Sequence, residues 1–403
     1  MQIISQAHQR ALEFGIYRDG DNNLDDSQSN VLTQAFATSR TDSSIAFDVE
    51  NTTHASNGHL ETHTYSVSDG TQRGFASRAG ANMSSPDTLA AFVARTLDHA
   101  EQNGAKQTWI DLVDHGAGDG GGLEADAYHG VMPMPQIAAA IAQGEAMHAR
   151  EHPEDADRRI DGVVANQCLM ASMGFADELS RAGVKYLAAS PETMVSPGVP
   201  SSVAHDIASH IDDPQAMARA VTGDVMRTHY GAGGGDTFGP AAAFDVLDLA
   251  PSGLQRAESA IKRFNDDAAR AAHDGGVRAR LRRDVASVPG MVRFHDATPD
   301  MPWHADRPAI AMYRTIASDA ALAEPLRRDA RAAADAVGSL VLAHKESAHF
   351  GPFDGSSYRD AAGPTIHAPI SRGQIDPWAP NISETHNAFY AATDEAAFAG
   401  AIA

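Results

Sequence analysis

Residues 160–179 read IDGVVANQCLMASMGFADEL, and a change of period inside this stretch decides the fold. Ile160, Val163 and Val164 make a short apolar run beside Asp161-Gly162, which predicts a buried strand. From Leu169 the apolar residues recur at Leu169, Met173, Ala176 and Leu179, a helical spacing. Cys168 stands at the switch. It is the only cysteine in the chain, so an internal disulfide and a multi-cysteine metal site are both excluded. A thiol between a strand and a helix has a helix N-terminus beside it, whose dipole favours the thiolate nucleophile. The same residue taken alone reads first as core filling, because free cysteine is among the most buried residue types.

What distinguishes the two readings lies upstream, in residues 108–122, TWIDLVDHGAGDGGG. Trp109, Ile110, Leu112 and Val113 predict a second central strand, and at its carboxyl end come Asp114, His115, Gly116 and a glycine-rich loop. In open α/β sheets ligands bind outside the carboxyl ends of the strands, so two such ends present a histidine and a cysteine to one crevice. Glycine after the histidine allows close approach of a substrate backbone and frees an N–H to face an oxyanion.

Working outward, Leu12, Phe14 and Ile16 alternate as in a strand that breaks at Asp19-Gly20, before a helix-like run from Val31 to Ala37. SIAFDVE (44–50) and HTYSV (63–67) read as a strand and its hairpin partner. Ser85-Pro86-Asp87 starts a helix with Leu89, Phe92, Val93 and Leu97 on its apolar face. Residues 123–131 suit a small hairpin over the site and 134–150 a helix; 150–159, ending in Arg158-Arg159, form a polar linker. Downstream, 185–190 and 241–247 predict strands and 201–211, 214–230, 254–283 and 322–349 helices. The segment 284–303 is irregular and 365–370 is a returning strand. No internal repeat stands out. The organisation expected is a catalytic α/β domain over 1–250 and a helical C-terminal region over 251–403 that returns a strand, about 362–370, to the fold.

At 403 residues and 43% hydrophobic, the chain is long enough for a substantial core. Its formal net charge of −22 disfavours nucleic acid and anionic membrane surfaces. No apolar run is long enough for a membrane span, and the N-terminal residues lack the pattern of a secretory signal, so the expected location is cytoplasmic or reached by a non-Sec route.

Several chemistries fail on spacing. The stretch Asp19-Gly-Asp-Asn-Asn23 invites a calcium loop, but Leu24 stands where an EF-hand needs glycine and Asn30 where it needs glutamate. His59 and His63 lie in a strand-like stretch, and His205/His210 and His344/His349 are five apart, so no zinc site is expected. Gly231–Gly235 lacks the Lys-Ser/Thr of a phosphate loop, and there is no Gly-x-Ser-x-Gly elbow.

Four blocks in order, IYRDGDNNLDD, LVDHGAGDGGG, VVANQCLMASMGFADEL with YLAASPET, and AGPTIHAPI, resemble the clostripain-like cysteine peptidases, of the superfold shared by caspases, legumain, gingipains and separase. The resemblance covers most of the chain, from Phe14 to about Tyr390, and its specific part is the paired His-Gly and Cys-Leu-Met-Ala blocks. It implies a caspase-haemoglobinase-like, mostly parallel sheet flanked by helices, with a helical C-terminal elaboration. It also implies an endopeptidase acting through a Cys168–His115 dyad, in which Cys168 attacks the scissile carbonyl, His115 protonates the leaving amine, and Gly116 and Cys168 N–H groups hold the oxyanion. Asp114, next in sequence to His115, is expected to point away.

The departures concern substrate choice. Many relatives carry Asp two residues before the nucleophile, pairing with a substrate Arg or Lys; here that residue is Asn166, so basic specificity is weakened. Ser190 and Glu192 belong to the adjoining pocket wall, where Glu192 is a candidate replacement acid and Pro191 alters the block. Gln167 replaces the alanine that usually precedes the nucleophile. Relatives often mature by cleavage in the 150–159 linker, a step that loses its basis if basic preference is lost. The expected partner is a protein or peptide substrate, with no nucleic acid and an unassigned oligomeric state. No cofactor is expected from a motif, calcium entering only through the resemblance. The alternative from another class is a silent protease-fold protein that binds peptides or proteins.

Overall fold

A computed structural model of the chain describes residues 9–26, 28–194, 198–230, 243–288, 290, 305–346, 362–371 and 387–403. In chain order the strands are β1 (Leu12–Arg18), β2 (Ile45–His54), β3 (Leu60–Ser68), β4 (Thr71–Ala79), β5 (Gln107–Val113), β6 (Gly122–Ala125), β7 (Gly130–Met132), β8 (Gly162–Asn166), β9 (Tyr186–Ala189), β10 (Ala243–Asp248), β11 (Asp306–Pro308), β12 (Val341–Glu346) and β13 (Thr365–His367). The helices are α1 (Asn30–Thr41), α2 (Pro86–Asn103), α3 (Met134–Glu151), α4 (Met173–Arg181), α5 (Val203–Ser209), α6 (Pro214–Tyr230), α7 (Pro251–Ala271), α8 (Gly275–Ser287), α9 (Ala309–Ser318), α10 (Glu324–Gly338), α11 (Ala388–Thr393) and α12 (Glu395–Ile402).

Nine strands form one sheet in the order β12-β10-β9-β8-β5-β1-β2-β3-β4. The central five, β9-β8-β5-β1-β2, pair parallel, and the strands added at each edge are antiparallel. Alternation along each strand sends side chains to opposite faces. Ile110, Leu112, Val163 and Ala165 meet α2, α3 and α4 and the C-terminal helices on one face. Trp109, Val113 and Val164 meet apolar residues of α1, α5 and α6 on the other. Both faces are therefore covered, which is why the central strands are apolar throughout. Gly162 is required by its neighbour: a Cβ there would lie 2.4 Å from the indole of Trp109, which stacks on Tyr186.

Several boundaries differ from expectation for identifiable reasons. The helix expected from Leu169 begins at Met173, because Leu169 has a left-handed backbone (φ 66°) and Ser172 caps the helix by accepting from Phe175 N–H at 3.1 Å. The single helix expected over 254–283 is two, since Asp274 caps α8 by accepting from Gly276 N–H at 2.7 Å. The helical run expected to reach His349 stops at Gly338, and Val341–Glu346 instead pairs antiparallel with β10 at the sheet edge, an apolar-then-polar segment whose partner is distant in sequence. The returning strand is β13; it pairs with β11 in a separate two-stranded sheet and Thr365 bridges to Ser172. The hairpin expected over 123–131 is β6–β7. The Gly231–Gly235 loop and most of the irregular 284–303 segment lie outside the described residues. Among the described residues no helix is long and apolar enough to cross a membrane.

Candidate active site

Four loops leave the carboxyl ends of the parallel strands β1, β5, β8 and β9 and meet above the sheet. They carry Asp19–Asn23, Asp114–Gly122, Gln167–Ser172 and Ser190–Met194 respectively. Between them lies a cavity of about 330 Å³ whose lining includes His115, Gly116, Glu124, Cys168, Leu169 and Thr193. The histidine and cysteine flagged at two strand ends thus face one space.

His115 is half-buried and its Nε2 lies 2.7 Å from Asn23 Oδ1. An amide oxygen only accepts, so Nε2 carries the proton and Nδ1 is the lone-pair nitrogen. Burial pulls the imidazole below its ordinary pKa, with Glu124 and Asp126 acting the other way. Asp114 is buried and accepts from Asn22 Nδ2 at 2.6 Å; the same Nδ2 also donates to Glu124 O at 2.9 Å. Burial, then the nearby Asp19 charge, raises Asp114 well above the carboxylate range. The polar loop after β1, which fails as a calcium loop, therefore holds both His115 and its neighbour in place. Asn23 escaped the sequence reading; the one signal was its place in a polar loop at the carboxyl end of a predicted strand.

Gly116 and Gly122 face each other, held by Leu123 N–H to His115 O at 3.2 Å and Ala117 N–H to Gly121 O at 2.9 Å. A Cβ on Gly116 would lie 2.3 Å from the Cys168 carbonyl oxygen, so only glycine lets the two loops approach this closely. Gln167 ties them together, donating from Nε2 to His115 O at 3.0 Å. Among the described residues no backbone acceptor takes the N–H of Gly116 or of Cys168.

The Cys168 sulfur accepts from Met194 N–H at 3.2 Å and its thiol faces Met194 O at 3.9 Å. Burial first, then the charges of Glu192 and Asp114, pushes the thiol up to about 11, against the lowering by Met194 N–H. The lowered pKa expected from an adjacent helix N-terminus is not found. Helix α4 starts five residues later, beyond the reach of a terminal dipole, and the loops packed around the half-buried Cys168 set its environment instead.

The residues assigned to the specificity pocket sit deeper. Asn166 is buried and its amide forms a reciprocal pair with Val199, Nδ2 to Val199 O at 3.0 Å and Val199 N–H to Oδ1 at 2.7 Å. Ser190 Oγ donates to Glu192 O at 2.7 Å and accepts from Glu192 N–H at 3.0 Å. Glu192 Oε1 accepts from Thr193 N–H at 2.9 Å. None of the three lines the cavity, although the neighbouring Thr193 does. Leu169 N–H to Glu192 O and Ala171 N–H to Ser190 O lay this segment alongside the cysteine loop.

No family model and no curated protein matches the chain. Solved structures do. A secreted C11 cysteine protease from Bacteroides thetaiotaomicron, in complex with an irreversible peptide inhibitor, superposes with TM-score 0.67 at 14% identity over 95% of this chain and 99% of that one. An inactive zymogen C11 protease from Parabacteroides distasonis gives 0.61 at 15% identity over 97% and 99%. The chain has the caspase-like α/β fold of the C11 cysteine proteases over nearly its whole length.

Proposed function

We propose that this protein is a clostripain-like (C11) cysteine endopeptidase whose nucleophile is Cys168 and whose proton carrier is His115. The observation that carries the reading is that these two residues, from separate strand-end loops, line one cavity beside the N–H groups of Gly116 and Cys168, which no backbone acceptor takes among the described residues. His115 Nδ1 takes the thiol proton as Sγ bonds to the scissile carbonyl carbon, and the carbonyl oxygen gains negative charge between Gly116 N–H and Cys168 N–H. As the C–N bond breaks, Nδ1 returns the proton to the leaving amine. A water, deprotonated by the same nitrogen, then hydrolyses the thioester and frees the thiol. Asn23 keeps the proton on Nε2 throughout.

Asn166 is neutral and turned to Val199, so position 166 offers no carboxylate to a substrate Arg or Lys; this supports a primary pocket not built for basic residues, within a substrate class of proteins and peptides. Glu192, engaged by Thr193, does not present itself as the replacement acid.

The state described is a resting one. Met194 contributes a backbone N–H to the sulfur, and burial, which raises the thiol and lowers the imidazole, favours the neutral form of each. A substrate carbonyl must displace this contact, which favours a latent enzyme over a silent binding module. Cleavage of a fluorogenic peptide library, with covalent labelling by a peptidyl electrophile, tests the reading: cleavage and labelling both lost in Cys168→Ala are expected. Cleavage that persists in Cys168→Ala overturns the nucleophile, whereas an Arg/Lys-dominated profile overturns only the pocket.

A further inference from the structure

A second constellation lies outside the cavity, where α2 packs on the end of α3. His148 and His152 are four residues apart, their rings stacked with centroids 4.9 Å apart. Both face one oxygen: Asp98 Oδ1 lies 2.7 Å from His148 Nδ1 and 3.4 Å from His152 Nε2. The outward nitrogens also face carboxylates, His152 Nδ1 at 2.6 Å from Glu101 Oε2 and His148 Nε2 at 3.7 Å from Asp155 Oδ2. His148 is fully buried, and its Nε2 has no hydrogen-bond partner among the described residues.

Proton accounting leaves part of this arrangement unsatisfied. With both rings neutral, the single N–H of each is taken by its short contact, Asp98 for His148 and Glu101 for His152, which leaves the lone pairs of His152 Nε2 and His148 Nε2 facing carboxylate oxygens at 3.4 and 3.7 Å with no proton between. Two imidazolium rings would satisfy every contact only by stacking like charges. A divalent cation at the centre removes the conflict. It takes the lone pairs of His148 Nδ1 and His152 Nε2 and one oxygen of Asp98, and leaves each remaining N–H to a carboxylate, Glu101 for His152 and Asp155 for His148. That outer carboxylate on each ring is the support metal-binding histidines ordinarily have.

We propose that Asp98, His148 and His152 form a zinc site, supported by Glu101 and Asp155. Two imidazole nitrogens and one carboxylate oxygen select a borderline first-row cation over calcium, which takes oxygen ligands, and a water completes the tetrahedron. The ligand atoms all lie within 4.8 Å of one another. The site clamps the end of α3 and the turn at Pro153–Asp155 onto α2, within the 150–159 segment that ends in Arg158 and Arg159. Arg158 itself pairs with Asp155 and donates to Ala105 O at 2.9 Å. The zinc joins α3 to α2 and is independent of the proposed peptidase site.

The test uses the full chain in wild-type and Cys168→Ser forms, because the thiol and His115 are a competing pair of ligands. Metal-free protein is titrated with zinc against a chromophoric chelator, and separately with cobalt. One zinc per chain is expected in both forms, weakened about 10- to 100-fold by His152→Ala and about tenfold by Glu101→Gln, which leaves both rings in place. Cobalt is expected to show tetrahedral d–d absorption without a thiolate charge-transfer band, and calcium is expected not to compete. Absence of stoichiometric zinc from Cys168→Ser, or zinc affinity in His152→Ala and Glu101→Gln undiminished from that of the parent protein, overturns the site.

Discussion

The Cys168 sulfur shows how burial outweighs a favourable position in the chain. Its place between strand and helix argues for a ready thiolate, but a turn, not the helix, follows it, and the thiol rises to about 11. As the chain has one cysteine, alkylation by iodoacetamide reports on it alone. In the resting protein the rate is expected to climb about tenfold per pH unit from pH 7 to 10, following the thiolate fraction. A plateau reached below pH 7 would instead reveal a preformed thiolate–imidazolium pair. Asn23 acts on His115 without touching the cavity chemistry. Asn23→Ala is expected to lower kcat about tenfold at little change in KM, because the proton and ring orientation are no longer fixed; Asn23→Asp, which keeps an accepting oxygen, should recover part of the loss. Equal kcat in Asn23→Ala and wild type would remove Asn23 from the mechanism.

Among the elements, the parallel centre and the strand-end loops were legible because β5 and β8 are short apolar runs ended by Asp-His-Gly and Asn-Gln-Cys. What the period could not show is how a loop spends its polar groups. Asn166 reads from sequence as a neutralised pocket acid, yet in the fold its amide both donates to and accepts from Val199. Asn166→Asp keeps the acceptor and loses the donor, setting a carboxylate against the Val199 carbonyl. Thermal or denaturant unfolding is expected to show a loss of about 1–3 kcal/mol. A variant of undiminished stability that gains Arg/Lys cleavage would return position 166 to the specificity pocket. The pair His148 and His152 was missed for a related reason: the spacing is right for one helix face, but two of the five carboxylate and imidazole groups, Asp98 and Glu101, come from α2, which only packing brings to the end of α3.

On the scale of the whole molecule, the C-terminal region is part of the same core. Side chains of α7, α9, α10 and α12 share one apolar cluster with α2, α3 and α4. We propose that residues 251–403 brace the catalytic unit of 1–250. Thr365 N–H donates to Ala171 O at 2.8 Å, and Tyr390 donates to Asp119 of the glycine-rich loop. Buried carboxylates tune stability with pH. Glu13 on β1 is fully buried, accepts from Asn103 Nδ2 at 2.7 Å, and burial raises it to about 7. The folded state therefore binds its proton more tightly than the unfolded state, and this contribution falls as pH rises from about 4.5 to about 7. Glu13→Gln is expected to exceed wild type by roughly 3 kcal/mol at pH 8 and by little at pH 4, measured by denaturant unfolding. An advantage independent of pH would place the effect in packing.

By itself the sequence determined the alternation of buried strands and amphipathic helices, and the presence of one histidine and one cysteine at two strand ends. Period and turn chemistry are local, and both are written in neighbouring residues. Tertiary structure decided what those residues face. It set Asn23 on His115, Met194 on the sulfur, Asn166 on Val199 and the two helix-end histidines on Asp98, because hydrogen-bond partners, burial and charge are fixed by segments far apart in the chain.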